Sequence, residues 1–458
     1  MTDVTRNLDA PPPDDLPWPS AARAWYVAVV LMFANTLAFV DRQALALLVQ
    51  PIKQDLHISD TAISLLYGLS FTLFYVAVGL PVARIADRSS RRNIIAGAIL
   101  IWSVATSLCG LARTFTTLFA ARVGVGAGEG GLTPAAYSLL SDYFPKHRLP
   151  AAMGVYQIGI YLGGASALVI GGIISSVVPP SATVALPLVG ALRGWQLIFL
   201  LLGLPGILLA AIAMTIREPA RRGAQGQPAA VPFGEFAAHL RGRWRAYAGI
   251  AIGFALMIFV GNGTSVWIPA FLQRSFGWSI ADVGRYYGPV VLVCGTAGAL
   301  GGGWFASWMR ARGRADANLR AAFVGFVALM PITVAFPLMS SASLVLALIG
   351  AMNFFAGFNF GGGLAALQEL TPNRMRALVS AMYMLTINLI GAALGPTAIA
   401  LCTDYVFGDP SRLAQAIALV SAIASPLAVA ALWLGVRDYR MHDPSFSPAV
   451  SGAASGRP

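Results

Sequence analysis

Residues 122–131, RVGVGAGEGG, fit two incompatible architectures. The last six residues have the spacing G-x-G-x-x-G of a dinucleotide-binding loop. The same stretch also places an arginine and a glutamate, Arg122 and Glu129, inside a long apolar run. A nucleotide loop needs a strand before it and a helix that opens on it. Here the flanks form one uninterrupted apolar segment, so the stretch indicates a charged helix inside a membrane.

The glycines of this stretch have a simpler explanation than nucleotide binding. Gly124 and Gly128, and likewise Gly126 and Gly130, have the spacing G-x-x-x-G. This spacing lets two helices approach closely in lipid. The glycines therefore predict a helix-packing surface.

The composition of the whole chain agrees with a membrane protein. Hydrophobic residues make up 57% of the 458 residues and charged residues 11%, with a mean hydropathy of +0.70. Soluble classes do not have this composition. The three cysteines (109, 294 and 402) have neither disulfide nor metal-site spacing. The polar, proline-rich start, MTDVTRNLDAPPPDDLPWPS, predicts a disordered cytosolic tail and not a signal peptide.

Apolar runs of about 20 residues, enough for one membrane crossing, occur twelve times. The predicted spans are 24–50, 61–84, 93–112, 116–140, 151–177, 194–216, 245–272, 284–309, 321–340, 343–368, 376–402 and 413–436. The widest polar gap follows the sixth. We therefore predict an all-α membrane protein with a cytosolic tail over 1–23, a six-helix bundle over 24–216, a cytosolic linker over 217–244, a second six-helix bundle over 245–436 and a cytosolic tail over 437–458.

The net charge of +12 is explained by membrane topology. If both termini are cytosolic, most of the 31 Lys and Arg fall in the cytosolic loops and tails, as the positive-inside rule requires. Five fall outside: Lys53, Arg113, Arg193, Arg274 and Arg412. Nucleic acid is therefore not needed as a partner.

An internal repeat relates the two halves. The segment PKHRLPAAMGVYQIGIYLGG from Pro145 aligns without gaps with PNRMRALVSAMYMLTINLIG from Pro372. Two similar halves with a cavity between them suit transport by alternating access. A transporter is therefore the leading class of function.

Four charged residues stand out inside the first half: Asp41 and Arg42 in span 1, and Arg122 and Glu129 in span 4. A charge at mid-membrane costs roughly 2.5–3.5 kcal/mol on insertion scales, so each needs a partner or a task. At about 1.5 Å per residue, Asp41 lies at a depth between Arg122 and Glu129. We predict that Arg122 pairs with either carboxylate and that exchanging partners switches proton affinity.

The competing interpretation is a static cluster that holds span 1 to span 4. Apolar packing would do this without the cost of insertion. In the repeat, Glu129 corresponds to Ala356 and Arg122 to Ile349, so the charges are confined to one half. The proton-coupling hypothesis is therefore preferred.

Two further groups of residues are candidates. The loop ADRSSRR, 86–92, predicts a conformational latch in which a carboxylate at a helix end holds arginines; the competing interpretation is ordinary topology-setting charge. The latch candidates are Asp87, Arg88, Arg91 and Arg92. Polar and aromatic residues within spans either line a substrate cavity or join helices. Those predicted to bind substrate are Arg42, Asn35, Tyr156, Gln157, Tyr161, Trp267, Asn359, Tyr383 and Asn388.

With twelve spans, a duplicated half and this loop, residues 24–436 resemble the major facilitator superfamily. Its G-x-x-x-D-R-x-G-R-R loop has Ala83 and Ser90 in place of two glycines here. Within the superfamily, three segments are similar to bacterial members of the spinster family. They are FVDRQALALLVQPIKQDLHIS, RVGVGAGEGGLTPAAYSLLSDYFP and LQELTPNRMRALVSAMYMLTINLIGAALGP.

The spinster resemblance implies a proton-coupled transporter of lysolipids or sphingolipids in the bacterial inner membrane. It places coupling on Asp41 and Glu129, with Arg122 as the mobile partner. The expected partners are the bilayer, an amphipathic substrate and protons; a monomer is expected, with a proton gradient and no cofactor.

Two functions of the same fold and one of a different class compete with this expectation. Organic anion:cation symporters share the D-R pair and the R…G-x-G-E pattern, and they would bind a carboxylate through Arg42 and Arg122. A drug:proton antiporter is the second candidate of this fold, and a non-transporting membrane receptor represents the different class. The sequence contains neither H-E-x-x-H nor G-x-S-x-G, so an enzyme is not predicted.

Overall fold

The computed structural model describes residues 17–86, 89–145, 147–187, 190–221, 232–314, 316–359 and 362–442. Over these residues the chain is almost entirely helical, as its long apolar runs predict. Twelve helical stretches follow one another, and each overlaps one predicted span. The predicted twelve-helix architecture is confirmed.

The first half contains spans 1 to 6. They are Ala21–Leu47; Asp60–Tyr67 with Leu69–Ala86; Arg91–Cys109; Phe115–Glu129 with Leu132–Tyr143; Leu149–Val177; and Gly194–Ala213. A short helix, Val49–Leu56, follows span 1. Strands β1 (Thr183–Leu186) and β2 (Gly190–Arg193) form an antiparallel hairpin between spans 5 and 6. The sequence did not predict this hairpin.

The second half contains spans 7 to 12, several of which include π or 3-10 turns. They are Trp244–Phe276; Ile280–Asp282, Val283–Tyr287 and Gly288–Ala311; Ala317–Ala335 with Phe336–Leu338; Ala342–Ala356, Gly357–Asn359 and Gly362–Glu369; Arg376–Thr386, Ile387–Ala393, Leu394–Leu401 and Cys402–Phe407; and Leu413–His442. Short 3-10 turns, Asn373–Met375 and Pro410–Arg412, precede spans 11 and 12. A helix over Phe233–Gly242 lies in the segment predicted as a linker.

Ten of the helical stretches, counted over the described residues, are long and apolar enough to cross a membrane. The remaining two are spans 4 and 10, which are both interrupted, so that each piece is shorter than the roughly 20 residues a crossing needs. Span 4 stops at Glu129 and resumes at Leu132, and the first helix of span 10 stops at Ala356. In the sequence repeat Glu129 corresponds to Ala356, so both halves break at the same position.

Each half has its own helix contacts. Span 1 packs against span 5 and span 3 against span 6 in the first half, and span 7 packs against span 12 in the second. The halves meet where span 5 contacts span 8 and span 2 contacts span 11. Because the number of spans is even, span 1 begins and span 12 ends at the same end of the bundle. We call this end the termini face and the other end the opposite face.

The glycines of span 4 pack against neighbouring helices, as their spacing predicts. A Cβ added at Gly128 would lie 2.7 Å from the backbone nitrogen of Trp102 in span 3. A Cβ added at Gly130 would lie 3.1 Å from the backbone nitrogen of Gly79 in span 2. Neither neighbouring backbone leaves room for a side chain. The predicted helix-packing surface is confirmed.

Gly128→Ala is therefore expected to destabilise the protein. The added methyl group must push the backbone of span 3 away, and overpacking of this kind costs about 1–3 kcal/mol. The measurement is the thermal unfolding midpoint of the purified protein in detergent. Gly154→Ala in span 5 is the matched control, because a Cβ there would meet nothing within 4 Å. Equal midpoints for the two variants would contradict this account of the packing.

Candidate functional site

The interruption of span 4 positions Glu129. Its first helix, Phe115–Glu129, ends at this residue, and Gly130 and Gly131 separate it from the next helix. At about 1.5 Å per residue, Glu129 lies roughly 21 Å along the helix from Phe115, deep inside the bundle. Its side chain is buried. The chain thus holds a carboxylate next to a helix break in the middle of the first half.

Arg42 of span 1 binds this carboxylate. Its Nε and Nη2 atoms donate to the same oxygen, Oε2 of Glu129, at 2.8 and 2.6 Å. Three aromatic rings lie 4.5–5.3 Å from the guanidinium carbon, and we call them the Arg42 cage: Phe39, Phe71 and Tyr75. The rings attract the cation through their π faces. The Arg42 side chain is nevertheless 25% exposed, so the cage and Glu129 do not enclose it completely.

Asp41 precedes Arg42 in span 1 and points to a different helix. Consecutive residues are about 100° apart around a helix, so the two side chains diverge. Oδ2 of Asp41 accepts a hydrogen bond from the Thr106 hydroxyl of span 3 at 3.0 Å. The Asp41 side chain is buried. Thr106 carried no sequence signal that connected it with Asp41.

The structure corrects the partner predicted for Arg122. In this conformation Arg122 is ion-paired with neither Asp41 nor Glu129; its Nε atom donates to the Leu66 carbonyl at 3.4 Å. Leu66 lies just before Gly68, where span 2 is interrupted. Glu129 is paired with Arg42 instead, a residue predicted to bind substrate. Whether Arg122 exchanges partners during transport stays a prediction.

Three polar atoms of this cluster are buried and unpartnered. They are Oδ1 of Asp41, Oε1 of Glu129 and Nη1 of Arg122. A buried polar group without a partner costs about 1–3 kcal/mol, and more when it is charged. The cluster therefore has an unpaired donor and two unpaired acceptors, which could bind each other in a second arrangement of spans 1 and 4.

Two residues predicted to bind substrate join helices instead. Asn35 is buried, and its side-chain amide donates to the Tyr156 carbonyl of span 5 at 3.0 Å. Trp267 is also buried, and its indole nitrogen donates to the Pro396 carbonyl of span 11 at 3.0 Å. Polar groups between packed helices need such partners. In this conformation the two side chains join helices, and substrate binding by them stays a prediction.

Two other candidates, Tyr156 and Tyr161, lie near the Arg42 cage and between the halves, respectively. Hydroxyl contacts connect Tyr75 of the cage to Thr133 at 3.4 Å, and Thr133 to the buried Tyr156 at 3.3 Å. The Tyr161 ring packs on Gly295 of span 8, across the two halves. These contacts form a polar chain on one side of the cage and an aromatic contact at the interface.

Two of the remaining predicted binding residues, Tyr383 and Asn388, have contacts within the second half. Tyr383 is buried and packs edge-on against Phe254, with 6.2 Å between ring centroids. Asn388 is half-buried and donates to the Met384 carbonyl of its own helix. Gln157 is half-buried, and the side chain of Asn359 lies outside the described part of the chain.

The loop predicted as a latch is partly described. Asp87 and Arg88 lie outside the described residues. Arg91 is buried and is ion-paired with Asp142 of span 4 and with Glu218 just after span 6. The described ion-pair partners of Arg91 are thus carboxylates that were not predicted.

Glu218 also accepts a hydrogen bond from the backbone nitrogen of Arg92 at 3.0 Å. The side chain of Arg92 donates to Asn93. Burial alone would raise the pKa of Glu218. The hydrogen bonds from Arg92 and Arg91 lower this pKa by more than burial raises it, so the net pKa is below the ordinary value. Glu218 is therefore held in its charged form at neutral pH, which suits a contact between spans 3 and 4 and the start of the linker.

A second ion cluster joins the two halves at the opposite face. Asp60 at the start of span 2 is fully buried, and its carboxylate accepts from Arg274 of span 7 at 2.6 and 2.7 Å. Lys53 donates to the same carboxylate at 2.8 Å. Nearby, Asp404 of span 11 accepts from the backbone and hydroxyl of Thr61, both at 2.7 Å. We call these five residues the opposite-face gate.

The gate connects the two halves at the opposite face. A cavity of about 560 Å³ lies at this face and is lined by Gln50, Asp55, Arg193, Gln273 and Arg274. At the termini face, the ion pairs found among the described residues join residues of one half to each other or to the linker. The halves are therefore tied together at the opposite face.

Comparisons with known proteins agree with this geometry. The sequence model of the Major Facilitator Superfamily matches residues 31–396. A bacterial homologue of the human lysosomal transporter spinster, in an inward-facing and unoccupied conformation, superposes with a TM-score of 0.73 at 27% identity, over 94% of this chain and 100% of that one.

Two curated relatives extend the comparison. An MFS-type efflux pump of Mycolicibacterium smegmatis is 29% identical, over 91% of this chain and 94% of its own length. A probable L-galactonate transporter of Escherichia coli is 24% identical, over 89% and 88%. The first name gives no cargo and the second gives L-galactonate, so the likeness points to transport and not to one substrate.

Proposed function

The chain belongs to the Major Facilitator Superfamily, and from this premise we propose that it is a proton-coupled transporter of an amphipathic, lipid-like substrate. It is a polytopic membrane protein and a secondary transporter, not an enzyme. Transporters of this architecture work by alternating access between two halves. The finer proposal concerns the driving ion and the substrate.

The observation that carries proton coupling is the Arg42–Glu129 ion pair with Asp41 beside it. Protonation of Glu129 removes its charge and with it the ion pair that holds Arg42. Oδ1 of Asp41 and Nη1 of Arg122 both lack partners. A shift of span 4 against span 1 would bring the Arg122 guanidinium to the Asp41 carboxylate. Proton binding and helix movement are linked in this way.

The substrate proposal rests on the chemistry around Arg42. Its side chain is partly exposed, while the cage beside it is aromatic. Tyr137, next to the buried Tyr156, is also partly exposed. A molecule with one anionic group and an apolar body fits this combination of a cation and rings. Lysolipids have this chemistry and are the substrates that the spinster resemblance implies; a bacterial spinster homologue has a similar structure.

The second candidate is a transporter of small organic anions. The partly exposed Arg42 suits a carboxylate as well as a phosphate. The E. coli relative is named for L-galactonate, a carboxylate. A drug:proton antiporter is the third candidate, because the M. smegmatis relative is an efflux pump.

In the proposed setting the protein is a monomer in the inner membrane of a bacterium, with both termini in the cytosol. The gate then closes the substrate path on the side of the membrane away from the cytosol, and the path opens to the cytosol. A pH gradient drives transport without a cofactor. The partners are therefore the bilayer, the substrate and protons.

Purified protein in liposomes with an imposed pH gradient tests the proposal. A dye that reports internal pH should show proton flux on addition of lysophosphatidylglycerol, and protein-free liposomes should not show it. Flux with galactonate alone would favour the organic-anion candidate, and flux with a hydrophobic cation would favour the antiporter. Substrate movement that ignores the pH gradient would contradict proton coupling.

A further inference from the structure

A second cavity lies on the second half, away from the interface between the halves. It has a volume of about 420 Å³ and lies at the termini face, between spans 8, 9 and 12. Its lining combines three arginines with apolar side chains: Arg320, Arg437, Arg440, Trp433, Phe323 and Val324. Neither the proton-coupling cluster nor the gate contributes to this cavity.

The arginines leave the cavity with a positive charge. Asp316 at the start of span 9 is fully buried and accepts from Nε of Arg320 and Nε of Arg440, both at 2.7 Å. Arg320 and Arg440 remain 29% and 39% exposed, so each keeps N–H groups that face the cavity or solvent. Arg437 is exposed and lies 6.0 Å from the ring of Trp433. One carboxylate thus opposes three guanidinium groups.

The apolar part of the lining continues onto the outer surface of the bundle. Trp433 and Leu434 of span 12 and Val324 and Val327 of span 9 are exposed large hydrophobic residues. In a membrane protein such a surface faces lipid tails, and tryptophan is enriched at the level of the head groups. The cavity therefore lies where arginines meet a lipid-facing surface.

We propose that this cavity binds the phosphate of an anionic phospholipid, with the acyl chains along the exposed apolar side chains of spans 9 and 12. Arginine donors match phosphate oxygens in geometry and charge. A basic pocket between membrane helices on the cytosolic side is suited to acidic head groups. The bound lipid would tie span 9 to span 12 from outside the transport path.

The matched variants are Arg437→Gln and Arg245→Gln. The ion pairs of Asp316 among the described residues are with Arg320 and Arg440, so the loss of Arg437 spares the buried contacts of that carboxylate. Arg245 also lies over a tryptophan at the termini face, 5.7 Å from the ring of Trp244, but it does not line this cavity. The two variants remove the same charge beside the same kind of ring.

Thermal unfolding in detergent is measured with added phosphatidylglycerol, phosphatidylcholine or inorganic phosphate. Phosphatidylglycerol should raise the midpoint of the wild type and of Arg245→Gln, and the other two additions should not. Arg437→Gln should need about fivefold more phosphatidylglycerol for the half-maximal rise, from the loss of one arginine near the head group. Equal responses of the two variants would overturn the proposal.

Two further results decide the site and the source of the phosphate. Brominated phosphatidylglycerol should quench the fluorescence of the wild type more than that of Trp433→Phe, and equal quenching would overturn the location. An equal midpoint rise with inorganic phosphate would show a soluble-anion site and overturn the lipid assignment. Loss of liposome transport alone would leave this inference intact, because its readouts are unfolding and quenching.

Discussion

Glu129→Gln is expected to abolish transport driven by a pH gradient and to leave the protein folded. Glutamine keeps the shape of the side chain and cannot titrate. Both hydrogen bonds from Arg42 go to the single oxygen Oε2, so the amide oxygen can take that place. The amide nitrogen then occupies the position of Oε1, which has no partner. The substitution therefore removes the titrating group with little change to its contacts.

The measurement is substrate uptake into liposomes with and without an imposed pH gradient. Gradient-driven uptake by Glu129→Gln should fall to the level of protein-free liposomes. The protein should stay folded with a lower unfolding midpoint, because Arg42 loses its counter-charge but keeps its hydrogen bonds and its aromatic cage. Glu235→Gln is the matched control, because it removes an exposed ion pair with Arg374 at the termini face. Normal gradient-driven uptake by Glu129→Gln would contradict the role of Glu129.

The fold was predictable because the amino-acid composition of each segment shows whether it can span a membrane. A run of about 20 apolar residues has few other stable structures in a bilayer, where backbone groups must be satisfied within a helix. The break after Glu129 was harder to foresee, since the two glycines that make it, Gly130 and Gly131, also fit a helix-packing motif. In the repeat, Glu129 and Gly130 align with Ala356 and Gly357. This alignment was compatible with a break at the same place in both halves, but only the structure shows that both helices end there.

The pairing of the charges could not be predicted from depth alone. Depth placed Asp41 between Arg122 and Glu129, but rotation of the helices decides which side chains meet. Arg42 follows Asp41 by about 100° around span 1, and this rotation brings Arg42 to Glu129. The aromatic residues Phe71 and Tyr75, four apart in span 2, were a missed signal for the ring-lined side of the site.

Polar residues in spans have the same sequence signal whether they bind substrate or join helices. Asn35 and Trp267 satisfy a carbonyl of a neighbouring helix, whereas the Arg42 side chain stays partly exposed. Only packing distinguishes these cases. The charges of the gate were also missed, because Asp60 and Arg274 lie at the ends of spans 2 and 7, where charge is ordinary.

Asp60→Asn is expected to open the opposite face. The Asp60 carboxylate accepts two hydrogen bonds from Arg274 and one from Lys53. An asparagine must turn its amide nitrogen toward at least one of these donors, and it leaves the two cations without a counter-charge. Removing one partner of a buried ion pair costs about 3–5 kcal/mol. This cost falls on the closed gate, so the equilibrium should shift by roughly 10²- to 10⁴-fold toward the state that is open at this face.

Distances between spin labels at Ser181 and Arg412 measure this shift, in a background without Cys109, Cys294 and Cys402. Both labelled positions are exposed, and they lie on different halves at the opposite face. Asp60→Asn should add a population at longer distance that is minor in the wild type. Asp55→Asn is the matched control, because Asp55 pairs with Arg193 at the same face within the first half. The same distance distribution for both variants would show that the pair formed by Asp60 and Arg274 does not hold the gate closed.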